Sequence, residues 1–166
     1  MAEPVALSSV RADDIENLLD DAFGADRHQR TAYLLRQGTS AINDLSFAIF
    51  DRQTLVGSIQ CWPVAVGSTP LILVGPVAVL PQRQNQAIGH RLMHASLAGT
   101  TAADPPMMMI GDPEYYGRFG FVADETSGWI LPGPWEPHRL LLRNPFKQQL
   151  PKAGIVGPRH FTVFDA

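Results

Sequence analysis

Apolar residues along this chain recur with two periods, and the periods separate helices from strands. Ile15, Leu18, Leu19 and Ala22 fall at i, i+3, i+4 and i+7, which predicts an amphipathic helix over 13–23 with acids in its first turn. Leu45, Phe47 and Ile49 alternate with Ser46, Ala48 and Phe50, a period of two that predicts a strand. After the Asp51-Arg52-Gln53 turn, Leu55, Gly57, Ile59 and Cys61 share one face of a further strand. The Gly67-Ser68-Thr69-Pro70 turn leads into Leu71 to Leu80, an apolar run rich in β-branched residues that predicts a buried strand. Beyond a turn rich in amide side chains, Ile88, Leu92 and Ala95 recur at i, i+4 and i+7, with Met93 and Leu97 beside them. These residues predict a second long helix.

The flanking segments carry weaker patterns. Pro4 to Val10 predicts an edge strand, and Asp26 is placed to cap a helix through Thr31, Leu34 and Leu35 that Gly38 ends. Met107 to Ile110 reads as a short core strand. Asp112-Pro113-Glu114 then combines an N-cap, a first-turn proline and a first-turn acid, so a helix starts there. Gly117 and Gly120 keep it short. His138 to Arg143 is the last strand candidate; beyond it the tail reads as irregular, with Phe161, Val163 and Phe164 available to dock it. The order is β-α-α-β-β-β-α-β-α-β: antiparallel strands first, then a strand–helix–strand crossover that makes a parallel pair. The expected fold class is α/β, a mixed and partly antiparallel central sheet flanked by helices. No linker or repeat interrupts it, so one domain is expected over 1–166, with 144–166 as an irregular extension packed on it.

Composition narrows the function classes. At 166 residues, 45% hydrophobic and 17% charged, the chain has the makeup of a globular domain. A net charge of −3 lacks the basic stripe of a nucleic-acid surface. No basic n-region precedes an apolar stretch at the start, and no apolar run is long enough to span a bilayer as a helix. The expectation is a cytoplasmic protein without nucleic-acid or membrane partners. Cys61 is the lone cysteine, without a Cys/His/Asn signature around it, and reads as a buried inert thiol. The five histidines show no metal spacing of the HxxxH-with-acid kind, so no metal is expected.

The candidate chemistry begins at the turn between the long apolar strand and the helix after it. A turn of this kind delivers backbone N–H groups to a helix N-terminus, where an anion binds without a cationic side chain. Gln84-Asn85-Gln86-Ala87-Ile88-Gly89 resembles the pyrophosphate-binding signature of the GNAT superfamily, the acetyl-CoA-dependent N-acetyltransferases, written Gln/Arg-x-x-Gly-x-Gly/Ala. Val77-Ala78-Val79-Leu80-Pro81 resembles that family's fourth strand and its exit. Tyr115 to Phe121 (YYGRFGF) is similar to its late helix-to-strand element, Phe/Tyr-Tyr-x-x-x-Gly-Phe. The pair of motifs, in family order with a strand between them, identifies the chain as a member of the bacterial acetyltransferase type. One position departs: Ala87 stands where the family has its first Gly, and its methyl disfavours a positive φ.

The resemblance implies specific roles. Gln84, Asn85, Gln86, Ala87, Ile88, Gly89 and His90 hold the pyrophosphate of acetyl-CoA. Backbone groups of Val77, Ala78 and Val79 take the pantetheine amides and polarise the thioester carbonyl, with Gly75-Pro76 suited to splay the strand. Tyr116 protonates the departing thiolate, while Tyr115, Phe119 and Phe121 read as core. Phe23 and Trp62 fall where acceptor sites form in the family. The implied reaction is direct attack of an amine on the thioester. Asp112, Glu114 and His94 are the nearest bases in sequence, and none stands out. A catalytically weak acyl-CoA-binding or regulatory module on the same fold is the alternative, favoured by Ala87; a purely structural domain is a third. A homodimer is compatible with such a fold.

Overall fold

Each long apolar pattern becomes an element of one mostly antiparallel open sheet flanked by helices. The computed structural model describes residues 3–160. Its strands are β1 (Val5–Ala6), β2 (Phe47–Asp51), β3 (Thr54–Val66), β4 (Thr69–Val79), β5 (Met107–Ile110), β6 (Gly128–Ile130), β7 (Leu140–Arg143) and β8 (Ala153–Pro158). The helices are α1 (Ala12–Phe23), α2 (Thr31–Leu34), α3 (Ile88–Ala98) and α4 (Pro113–Tyr116), joined by short 3₁₀ turns. Strand order is β1-β2-β3-β4-β5-β7, with β8 paired to β3 and β6 to β8. The crossover through α3 makes β4 and β5 parallel, Ile72 opposite Met107 and Leu73 opposite Met108, as expected of a strand–helix–strand unit.

Two compact units make up the chain. One comprises Met1–His28, Ala41–Cys61 and Val74–Ala103; the other comprises Gln29–Ser40, Trp62–Leu73 and Asp104–Ala166. In the first, α1 buries Ile15, Leu18 and Leu19 with Leu7, Ala48 and Ala78. The helix α3 buries Ile88, Leu92 and Met93. It lies against the bare backbone of Gly57 on β3: a Cβ there would come within 2.5 Å of Ile88 Cγ2 and 3.0 Å of Leu92 Cδ1. In the second unit, Met107, Met108 and Met109 of β5 face Arg143, Leu142 and Leu141 of β7. The methionine run is core, as its apolar character predicts.

Three expectations change. The tail is not irregular throughout, because Ala153–Pro158 forms β8, antiparallel to the end of β3 (Val64 opposite Pro158, Val66 opposite Val156) and parallel to β6. Both added strands are held by partners distant in sequence, so their Gly- and Pro-rich segments carry little local strand signal. The docking role read for Phe161, Val163 and Phe164 lies outside the described residues. Asp26 caps no helix: buried Arg27 pairs with Glu16 and Asp20 of α1, residues 27–29 close a 3₁₀ turn, and α2 starts only at Thr31. The strand read over Pro4–Val10 shrinks to Val5–Ala6, because Leu7–Ser9 turns, closed by Ser9 Oγ donating to the Ala6 carbonyl at 2.6 Å. No helix among the described residues is long and apolar enough to cross a membrane.

Candidate functional site

The first unit builds a turn with two left-handed residues between β4 and α3. After β4, Pro81–Arg83 form a 3₁₀ turn and Gln84 is extended. Asn85 (φ 64°) and Ala87 (φ 62°, ψ 17°) are both left-handed, and α3 starts at Ile88. Asn tolerates that region; for alanine it costs roughly 1–2 kcal/mol. Here the departure at Ala87 acquires a physical meaning, because the position is one that glycine fits. Ala87 is the N-cap of α3 and provides no side-chain cap. Arg91 N–H makes the first bond of the helix, to the Ala87 carbonyl at 3.0 Å, so the amides of the first turn precede the intrahelical ladder. Gln84, Asn85, Gln86 and Ala87 are exposed. Ile88, by contrast, is buried on Gly57 and anchors the turn through its side chain.

An arginine clamps this turn. Arg83 Nε donates to Gln86 Oε1 at 2.9 Å, and its Nη1 donates to Asp51 Oδ2 at 2.7 Å, at the end of β2. The clamp fixes the amide-rich segment from both sides and keeps a cation beside it. Arg83 and Asp51 were not singled out by the sequence reading. They are 32 residues apart, and no local pattern connects them.

The strand leading into the turn offers a matching row of donors. Leu80 N–H donates to the Val56 carbonyl of β3 at 3.0 Å. Since successive strand residues point their N–H groups to opposite edges, those of Val77 and Val79 face away from β3. Ala78 is buried in the core cluster with Leu18 and Leu19. Gly75 has a φ of 127°, reserved to glycine, and Pro76 has no N–H, so the regular donor row of β4 starts only after them.

The second unit holds the tyrosine. Asp112 caps α4 as its position predicts, its Oδ1 accepting from Glu114 N–H at 3.0 Å, and that bond accounts for the carboxylate. Gly111 clears space for the Tyr116 ring: a Cβ there would lie 2.8 Å from two ring carbons. Burial, with smaller contributions from Tyr115 and Asp112 against an opposing one from Arg139, pushes the Tyr116 phenol up to about 12. Tyr115 stands edge-on to it with ring centroids 4.9 Å apart and carries the Arg118 guanidinium on its face at 4.4 Å. Phe119 and Phe121 are buried, as expected, whereas Tyr115 is only half-buried.

The remaining candidates divide. Trp62 is buried beneath Arg36, whose guanidinium carbon sits 4.4 Å from the Trp62 ring and 3.9 Å from the Tyr33 ring; the Trp62 indole N–H has no hydrogen-bond partner. Phe23, half-buried, ends α1 against its core cluster. Cys61 is fully buried, and desolvation pushes its thiol up to about 12, the inert thiol that its surroundings predict. His94 pairs with His90 on α3. Among the described residues, no group of three or more His, Cys, Asp or Glu is placed to hold a metal ion.

The model of the acetyltransferase (GNAT) family matches residues 12–101, more than half of the chain. The chain belongs to the GNAT family. The matched segment runs from α1 past α3, so it includes β4 and the 84–89 turn and ends before α4. Solved structures share the fold. A GNAT family N-acetyltransferase from Escherichia coli in complex with CoA is similar with a TM-score of 0.73 and 19% identity, over 94% of this chain and 88% of that one. A GNAT family acetyltransferase from Brucella melitensis in complex with acetyl-CoA gives a TM-score of 0.66 and 24% identity, over 95% of each chain. No curated protein matches the sequence.

Proposed function

We propose that this GNAT protein is an N-acetyltransferase that moves the acetyl group of acetyl-CoA onto an amine of a small molecule, peptide or protein. The 84–89 turn carries the reading: two left-handed residues, an arginine clamp and the uncapped N-terminus of α3 together fit a diphosphate. CoA or acetyl-CoA is bound in both similar structures. In this reading Gln84 to His90 cradle the diphosphate through backbone amides. The outward N–H groups of Val77 and Val79 hold the amide groups of the pantetheine arm, next to buried Ala78. Of the two acceptor candidates, half-buried Phe23 is the one available for contact, since Trp62 is buried beneath Arg36.

The transfer is balanced in protons. A neutral amine forms the C–N bond, the C–S bond breaks with its electron pair on sulfur, nitrogen gives up one proton and sulfur gains one. An alkylammonium group has a pKa near ~10.4, so the reactive amine is a minor species at neutral pH and turnover rises with pH. Tyr116, at about 12, stays protonated throughout that range. Because a thiol ordinarily titrates near ~8.5, full transfer from the phenol is uphill, and Tyr116 acts chiefly by donating a hydrogen bond to the developing thiolate.

A thermal-shift titration with CoA and acetyl-CoA, paired with a free-thiol assay over an amine panel, tests the proposal. Ligand at ~100 times its Kd adds roughly 2.7 kcal/mol of stability. An upward shift with thiol release in the presence of one amine supports the enzyme. A shift with no release from any amine supports the second reading, an acyl-CoA-binding module, which the left-handed Ala87 favours. No shift at millimolar CoA removes both.

A further inference from the structure

The side chains of His90 and His94 on α3 form an arrangement that the proposed backbone cradle for the diphosphate does not use. His90 and His94 lie one helical turn apart with rings edge to face, centroids 4.5 Å apart and Nε2 atoms 2.9 Å apart. His90 is half-buried and His94 exposed. In the neutral pair, one Nε2 carries the proton and the other accepts it. The same distance is an edge of a coordination polyhedron. Metal–nitrogen bonds of about 2.0–2.1 Å meeting at a right angle set two nitrogens about 2.9 Å apart, whereas a tetrahedral angle opens them to about 3.4 Å.

We propose that His90 and His94 form a two-histidine site for a divalent transition-metal ion with right-angled coordination, Cu²⁺ and Ni²⁺ ahead of Zn²⁺. The i, i+4 spacing places both imidazoles on one helix face, as metal-binding helices do. Imidazole ligands suit these ions, and the affinity order of divalent metals peaks at copper. On binding, the ring that carried its proton on Nε2 takes the Nδ1–H tautomer, two Nε2–metal bonds form with no net proton released, and water completes the coordination. The neighbouring cation, Arg91, is itself paired with Glu3 at 3.7 Å.

Calorimetric titration of the tag-free full chain with CuCl₂ and NiCl₂, without CoA, tests this. The expected result is saturable binding of one ion per chain, retained in His138→Ala and lost in both His90→Ala and His94→Ala. Alanine is the best helix former, so neither replacement threatens α3, and far-UV circular dichroism verifies that. Binding that survives both replacements, or no saturable binding in the parent chain, overturns the proposal. Either failure leaves the acetyl-transfer reading untouched, because no CoA is present.

Discussion

At the scale of single residues, Ala87 is where local backbone energy and the proposed diphosphate cradle meet. Its φ of 62° is one that glycine adopts freely. Ala87→Gly should therefore stabilise the free protein by about 1 kcal/mol, read as a raised Tm, and should tighten CoA binding in the same titration. A lower Tm would mean that the left-handed turn does not persist in solution. Tyr116 makes a separate prediction. Tyr116→Phe removes the donor and keeps the ring on Gly111, so kcat should fall by about 100-fold while the Kd for CoA barely moves. Unchanged kcat would take Tyr116 out of the chemistry. Sequence alone identified both positions, because each sits in a motif whose spacing is local. It did not show that Ala87 is strained or that the Tyr116 phenol is pushed up, since both follow from the packing around them.

Among elements, the contact between α3 and β3 decides whether the turn is held in place. Gly57 lets the helix approach the strand backbone, and Gly57→Ala should push the first turn of α3 outward. The expected loss is about 1–3 kcal/mol in a denaturant melt, with weaker CoA binding; an unchanged melt would show that the helix yields freely. The Arg83 clamp makes a milder case. Arg83→Ala should raise KM for acetyl-CoA more than it lowers kcat, since the clamp orders the turn and leaves the reacting atoms untouched. The helices α1, α3 and α4 were legible because periodicity and capping are written within a few residues. The strands β6 and β8 and the Arg83–Asp51 pair were not, because each is fixed by a partner far along the chain. Arg27 shows the converse: its pairing with Glu16 and Asp20 overrides the helix start that Asp26 seemed to supply.

For the whole molecule, two desolvated acids, buried Cys61 and half-buried Tyr116, set an alkaline limit on stability. Desolvation raises the Cys61 thiol from 9.0 and the Tyr116 phenol from 10.0, each to about 12. A folded-state pKa above the unfolded value gives stability that is complete below the unfolded pKa and is lost as pH rises toward the folded one. Stability should hold up to about pH 9 and then fall progressively toward pH 12. Cys61→Ala should flatten the early part of that fall in melts recorded across the range; an identical slope would assign it to other groups. The family and fold rest on the matched segment and on the sheet itself. The proposed acetyl-CoA cradle rests on a few backbone amides, and amide-resolved NMR of the ¹⁵N-labelled chain titrated with CoA reads them one by one. Saturation should shift the amides of residues 84–90 together with those of Val77 and Val79. Saturation that leaves these resonances in place would contradict the assignment of the turn.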